Sequence, residues 1–355
     1  MFGTDIGIDL GTATVLIYVK NKGIVLREPS VVAVDLDTGK ILAVGYEAKN
    51  MVGRTPGSIT SVRPLRDGVI ADYTMTEAML HHFMRRVQRG FSRFFRNRVM
   101  ICVPSGATDV ERRAVLEAAV EVGAKEAYLI EEPMAAAIGA NLNVEEPRGK
   151  MVVDIGGGTT DIAVFNEGAI RHTAVLALGG DHITNDIAVG IRTPITEAER
   201  LKIKYGHAIA ARVSTDEQIE VPSIGGDTIN TVPRRILAEI IESRVEELFK
   251  LAYTEIRNTG LAETMSAGLV LTGGASSLEG VAQLAESIMH MPVRVGYPRG
   301  VKGLVELVNS PAYATAVGLC IYGAGRPSNG YKAKKGSPMY ERLLDRLIRW
   351  FKEVF

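Results

Sequence analysis

The sequence predicts an α/β protein built as two similar lobes facing one another across a cleft. Two observations carry this. Short apolar runs of strand length alternate with amphipathic segments of helix length, the order expected of layered α/β folds. The opening Asp5-Ile-Gly-Ile-Asp-Leu-Gly-Thr12 then returns about half a chain later as Asp154-Ile-Gly-Gly-Gly-Thr-Thr-Asp161. Each copy reads as strand, glycine-rich turn, strand. At roughly 150 residues per domain, the 355 residues have room for two such units.

In chain order, residues 6–8 and 15–19 flank a Gly-Thr turn and predict a hairpin, and 99–103 predicts a short buried strand. Thr108 with Glu111 fits a capping box, each side chain able to satisfy the other's free backbone N–H, and opens a helix running to about Val122 before Gly123. Residues 151–155 and 162–165 predict the second hairpin, 236–257 a long helix and 268–271 another buried strand. The alanine-rich segments 135–142 and 314–322 predict closely packed helices. Residues 324–338 are glycine, proline, serine and lysine with little apolar content and predict a flexible linker. The expected units are therefore a first lobe at 1–150, a second at 151–323 with a return to the first near 312–323, the linker, and a separate helix at 339–355.

Composition excludes several classes. Lysine plus arginine and aspartate plus glutamate both number 41, so no global charge points to nucleic acid. Hydrophobic residues at 46% and charged residues at 23% argue against a disordered chain. Cys102 and Cys320 sit in apolar stretches without a CxxC pairing, which argues against a zinc cluster or a disulfide scaffold and for a reducing compartment. Without a basic–apolar leader or a run of 18 apolar residues, the expected location is the cytoplasm.

The two hairpins carry the chemistry. Glycine turns leave backbone N–H groups unhindered, so they can form a concavity for phosphate oxygens. The first offers Gly11, Thr12, Ala13 and Thr14, the second Gly156, Gly157, Gly158 and Thr159. Asp9 and Asp154 each lie near the end of a strand entering its turn. Two carboxylates there, acting through water, suit a magnesium ion on nucleotide phosphates. Gly273-Gly274-Ala275 follows a third buried strand and could lie flat against a base or ribose. The competing reading of each is a tight turn. Glu131-Glu132, just before the alanine-rich helix, either positions a water against a γ-phosphate or is a solvated pair favoured by the helix dipole.

Two segments suit a membrane surface. In 339–355, Leu343, Leu347, Ile348 and Phe351 fall on one helical face, Trp350 is the chain's only tryptophan, and Phe355 ends the run. From Tyr331 onward there are seven basic and three acidic residues, a net of +4. An apolar face flanked by cations is what an interfacial helix needs; the other reading is a helix docked on its own domain. Between His81 and Arg98 there is no acidic residue, and Phe91, Phe94 and Phe95 interleave with arginines.

The order of phosphate hairpin, EEPMAAA, DIGGGTTDIAV, TGGA and YATAVGL resembles the actin, sugar-kinase and heat-shock-chaperone superfamily. Residues 1 to about 165 resemble the bacterial actin MreB through IDLGTATVLIYVKNKGIVLREPSVVAV, RPLRDGVIADY and LIEEPMAAAIGANL. From about Asn166, the segments AIRHTAVLALGGDHITNDIA, TEAERLKIKYGHA and the terminal WFKEVF resemble the division protein FtsA, as in a mosaic with a seam near 150–166. The resemblance implies an actin-like two-lobed fold that binds ATP and Mg2+ and assembles into filaments. It implies that Asp9 and Asp154 organise the metal, that both turns hold phosphates, and that Glu132 orients the attacking water with Thr159 beside the γ-phosphate. Gly273, Gly274, Ala275, Glu199 and Lys202 would border the nucleoside, and Phe91, Phe94 and Phe95 would enter the membrane.

The implied function is a slow ATPase filament on the inner membrane face, scaffolding wall synthesis or tethering the tubulin-like FtsZ, with no nucleic-acid partner. FtsA's inserted front subdomain is missing here, and MreB lacks such a basic-linked tail, so partners cannot be inherited wholesale from either. A sugar or small-molecule kinase on the same fold is the alternative. It predicts a further carboxylate near the γ-phosphate, and none stands out. A chaperone needs a peptide-binding domain, for which the roughly 30 residues after Tyr322 are too few.

Overall fold

The computed structural model describes residues 5–51, 58–66, 69–89, 97–225, 228–299, 308–325 and 330–332. The first half runs β1 (Asp5–Leu10), β2 (Thr14–Val19), β3 (Gly23–Pro29), β4 (Val32–Asp35), β5 (Ile41–Val44), α1 (Tyr46–Met51), β6 (Ile59–Val62), β7 (Leu65–Arg66) and β8 (Val69–Ile70). It closes with α2 (Tyr73–Arg89), β9 (Arg98–Val103), α3 (Asp109–Glu121), β10 (Glu126–Glu131) and α4 (Glu132–Gly139). The second half opens with β11 (Lys150–Ile155), β12 (Thr160–Asn166), β13 (Ala169–Leu176), α5 (Gly180–Gly190) and α6 (Ile195–Tyr205). Then come β14 (Gln218–Pro222), β15 (Ile229–Pro233), α7 (Arg234–Asn258), β16 (Leu269–Thr272), α8 (Val281–Met289), β17 (Val293–Val295) and α9 (Ala314–Ala324).

The repeated motif marks a repeated sheet. The first sheet has the order β10-β9-β1-β2-β3 and the second β17-β16-β11-β12-β13. In each, a central hairpin and a third strand are antiparallel, and two further strands join the hairpin's first strand in parallel. The central strands β1 and β11 are buried along their whole length, so their apolar residues need not alternate with polar ones. The charges they carry at their starts are paired, Asp5 with Lys20 and Arg98 and Lys150 with Glu146, whereas Asp9 and Asp154 lie near their ends. Two smaller sheets decorate the first half, β5-β4-β6 and β7-β8, and β14-β15 decorates the second.

Each sheet has its own core. Ile6, Ile8, Ile17, Phe83, Val99 and Val115 belong to the first, and Val153, Ile162, Ile187, Leu201, Phe249 and Leu271 to the second. Two helices then exchange sides. Residues Ala136 and Ala137 of α4, which leaves the first sheet, pack on Val152, Ala163 and Phe165 of the second. Residues Ala316, Val317 and Leu319 of α9, which follows the second sheet, pack on Leu16, Tyr18 and Met100 of the first. Where the helices cross, a β-carbon on Gly139 would fall 1.7 Å from the Ala314 carbonyl oxygen, and one on Gly318 1.9 Å from that of Ala135. Only glycine permits this approach.

The capping box is present as expected: Thr108 accepts from the Glu111 N–H, and Glu111 accepts from the Thr108 N–H. The alanine-rich helix begins at Glu132, earlier than its alanine pattern predicts, because Pro133 occupies the first turn, where its missing donor costs nothing. It ends at Gly139, before Asn141 turns to φ 55°. Within the segment read as a linker, Tyr331 exchanges two backbone hydrogen bonds of 2.9 Å with Ala127 at the edge of the first sheet. Lys332 adds an ion pair of 3.1 Å to Glu126, whose side chain is fully buried. The residues expected to meet a membrane, Phe91, Phe94, Phe95, Leu343, Leu347, Ile348, Trp350, Phe351 and Phe355, lie outside the described residues.

Candidate functional site

The two glycine turns meet tip to tip. A β-carbon on Gly157 would lie 2.6 Å from Cβ of Ala13, and one on Gly158 3.0 Å from Cγ2 of Thr12. The first turn is fixed by its neighbours: Ser30 donates to the Gly11 carbonyl at 2.5 Å, and the Ser30 N–H to the Ala13 carbonyl at 3.1 Å. A β-carbon on Gly11 would sit 2.7 Å from the Thr14 carbonyl oxygen, so the turn is too tight for one. The second turn is tied to the start of α5, where Gly180 and Asp181 donate N–H groups to the carbonyls of Gly156 and Gly157 at 2.9 and 2.8 Å. Asp181 also pairs with Arg63 of the first half at 3.3 Å.

Behind the turns, the buried carboxylates of Asp9, Asp154 and Asp161 and the half-buried one of Glu132 act on one another. Asp9 ends in β1, Asp154 in β11, Asp161 lies opposite Asp154 across the hairpin, and Glu132 opens α4. Burial pushes Asp9 up to about 7, with the Asp154 charge adding to it, and Asp161 up to about 7 for the same two reasons. Asp154 rises to about 6 through burial. Glu132 is held well above the carboxylate range by burial and then by the charges of Asp161, Asp9 and Asp154. The compensating groups are neutral: Cys102 donates its thiol to Asp9 at 3.2 Å, Thr315 its hydroxyl to Asp154 at 2.7 Å, and Thr159 its hydroxyl to Asp161 at 3.3 Å.

This donor set fits a hard divalent cation. Buried like charges, short of cationic partners, would each be relieved by one. Among the described residues no three His, Cys, Asp or Glu side chains converge closely enough to hold a metal directly.

A cavity of about 200 Å³ opens on the second half, bordered by Ile183, Lys202, Arg234, Gly274, Ala275 and Glu279 among others. Three residues expected at a nucleoside, Lys202, Gly274 and Ala275, are therefore together. The other two are elsewhere. Glu199 does not border the cavity; it pairs with Lys202 at 2.7 Å, and the Lys202 ammonium also donates to Thr184 Oγ1 at 2.7 Å and to the Gly180 carbonyl at 2.9 Å. Gly273, at φ 84°, faces the carboxylates, for a β-carbon there would fall 2.3 Å from Asp154 Oδ1.

Sequence reasoning missed Asp161, Cys102, Thr315 and Arg63. Asp161 was legible, since it closes the second motif just as the carboxylate Asp154 opens it. Cys102, Thr315 and Arg63 had no local signal; only the sheet order and the helix exchange bring them to the cleft.

Two lobes with this strand order, joined by exchanged helices around a carboxylate-lined cleft, define an actin-like protein. MreB5 of Spiroplasma citri bound to ADP superimposes with a TM-score of 0.73 at 28% identity, covering 91% of this chain and 96% of that one. A MamK double helical filament shares the fold at a TM-score of 0.68 and 20% identity, over 92% of this chain and all of that one. The family model described as MreB/Mbl protein matches residues 3–301, and the chain belongs to that family.

Among its relatives, the cell shape-determining protein Mbl of Bacillus subtilis is 45% identical over 316 residues, 83% of this chain and 92% of its own. The cell division protein FtsA of Pseudomonas aeruginosa is 43% identical over 263 residues, 72% of this chain and 62% of its own. The expected seam near 150–166 does not bound either likeness. The MreB/Mbl match runs on to 301, and 72% of the chain is more than lies beyond 166.

Proposed function

We propose that the chain is a filament-forming, ATP-binding protein lying on the cytoplasmic face of the membrane, where it scaffolds wall synthesis and so cell shape. The apposition of the turns carries this reading: Gly157 lies on Ala13 and Gly158 on Thr12, with the mutually interacting carboxylates of Asp9 and Asp154 in the strands that lead into them. The Spiroplasma citri MreB5 structures bound to ADP and to AMPPNP support a nucleotide there, and the MamK double helical filament supports filaments.

In this reading Gly11–Thr14 and Gly156–Thr159 hold phosphates through their N–H groups. Lys202, Gly274 and Ala275 receive the nucleoside, with Glu199 fixing the lysine and Gly273 letting the loop press against Asp154. Asp9 and Asp154 hold magnesium through its waters; that ion supplies charge neutralisation at the phosphates. Glu132 orients the attacking water from the start of α4, and Thr159 keeps Asp161 hydrogen-bonded beside it. Hydrolysis is slow and governs filament turnover.

The apolar tail at 339–355 and the Phe91, Phe94 and Phe95 segment anchor the filament. The FtsA likeness supports a division role as well, in which the rear half receives the tail of FtsZ.

Calorimetric titration with ATP and Mg2+ tests the site. The wild type binds, and Asp154→Asn weakens magnesium-dependent binding at least tenfold; absence of binding to the wild type overturns the reading. Electron microscopy on lipid monolayers tests the rest, with filaments expected only with nucleotide and lipid. Deleting 339–355 together with Phe91, Phe94 and Phe95→Ser should abolish pelleting with anionic vesicles, and undiminished pelleting would refute the anchors.

A further inference from the structure

A second cavity shares no lining residue with the one bordered by Lys202 and Gly274. It measures about 420 Å³ and is lined by Ile41 and Val44 of β5 and by Ala78, His81, His82, Arg85 and Arg86 of α2. Positions 78, 81, 82 and 85 follow the i, i+3, i+4, i+7 spacing that puts side chains on one helical face. One side of the cavity is thus aliphatic and the other cationic or imidazole, with no carboxylate in the lining.

Part of the wall is held rigidly. Glu28, with its side chain 7% exposed, accepts the Tyr46 N–H at 2.9 Å and pairs with Arg86. That leaves Arg85 as the guanidinium to which, among the described residues, no carboxylate is paired. The same face begins the stretch from His81 to Arg98 that contains no acidic residue.

We propose that this cavity is a binding site for a phosphate ester. A guanidinium fork matches phosphate oxygens in a bidentate fashion, and the exposed imidazole of His82 adds a donor. The aliphatic wall of Ile41, Val44 and Ala78 takes the carbon part of the ligand, which favours an ester over the bare anion. The volume is within the usual range for small-ligand sites. The source that fits is a phospholipid headgroup at the membrane surface, a deepening that rests on the membrane reading above; a soluble phosphate is the other source of the same chemistry.

The experiment uses the full chain and Arg85→Glu, a change at an exposed side chain outside the nucleotide cleft, with unchanged thermal unfolding as the folding check. Vesicles of phosphatidylglycerol and of phosphatidylcholine form one arm. In the other, inorganic phosphate and glycerol phosphate are titrated while the histidine ring protons are followed by NMR. Loss of one cation near an anionic surface is worth about fivefold in affinity and reversal about 25-fold. The expected result is that loss for phosphatidylglycerol, together with histidine shifts in the wild type that are absent from the variant.

Histidine shifts with unaltered vesicle binding would support the site and assign its ligand to the soluble phosphate. Unaltered vesicle binding with no histidine shift would overturn the site. If the wild type pellets with neither vesicle, the membrane reading fails, and the phosphate titration alone then decides the cavity.

Discussion

Replacing Gly318 with alanine strikes the crossing of α4 and α9. The new β-carbon would stand 1.9 Å from the Ala135 carbonyl oxygen and 2.8 Å from the Gly139 nitrogen, where ordinary contact starts at 3.4 Å. The obstruction is backbone, which no rotamer change relieves, so the helices must part by about 1.5 Å. Overpacking of this kind costs about 1–3 kcal/mol, against at most about 1 kcal/mol gained from better helix propensity. Denaturant unfolding should therefore show a net loss of about 1–2 kcal/mol. Gly106→Ala, where a β-carbon meets nothing within 4 Å, is the control and should change little.

Gly139→Ala should cost a similar amount, and the double variant less than the sum, because once parted the helices accept both methyls. Thr315 lies next to Ala314 and Glu132 three residues from Ala135, both contact points of the crossing, so on the proposed reading nucleotide affinity should fall with stability. A Gly318→Ala protein of wild-type stability, or strictly additive costs, would refute the close crossing.

Asp161, with its pKa raised to about 7 by burial and the Asp154 charge, makes the folded state bind a proton that the unfolded chain has lost above about 4. Its penalty is absent below pH 4, grows as pH rises to 7 and is full above it, so Asp161→Asn should stabilise the ligand-free protein by about 2–4 kcal/mol at pH 8 and by nothing at pH 4. Thermal melts across that range check it, and a gain that does not vary with pH would contradict the assignment. Arg63→Ala removes the ion pair to Asp181, whose side chains are 44% and 43% exposed; such pairs are worth at most about 1 kcal/mol, so release of a fluorescent ATP analogue should quicken by up to about fivefold, and slower release would count against a cross-cleft role. Lys332→Glu places a carboxylate where the ammonium met buried Glu126. Proteolysis between α9 and the tail should then accelerate several-fold, whereas an unchanged cleavage rate would mean that the Tyr331–Ala127 bridge alone holds the segment.

The sequence made the duplication legible because phosphate turns and two-face-buried strands are local features, written in Asp5–Thr12 and Asp154–Asp161 within eight residues each. The same is true of the Thr108–Glu111 box. It was poorer at edge elements: β3 mixes buried and exposed positions without a clean period, and β13 has no buried position at all. It could not place Thr315 beside Asp154, since 161 residues separate them and the contact exists only because α9 crosses back to the first sheet. Gly273 was read as bordering a nucleoside, and what the structure adds is that its positive φ and missing β-carbon let the loop lie against Asp154. A glycine pair marks close approach without saying what approaches.

The carboxylates bear on how the two halves move. Asp9 belongs to the first sheet and Asp154 and Asp161 to the second, and each raises the pKa of another across or along the cleft. Their hydrogen-bond donors are a thiol and two hydroxyls, which orient the oxygens and leave the charge in place. Ionised together, they push the sheets apart at the point where the glycine turns touch. On the proposed reading, a bound cation reverses the sign of that force, so ligand binding and lobe closure become one event. Small-angle scattering should show a smaller radius of gyration with Mg2+ and ATP than without them at pH 8. Asp9→Asn should shrink that difference by compacting the ligand-free form. A ligand-free wild type already as compact as the complex would show that helix packing alone, rather than these charges, sets the distance between the sheets.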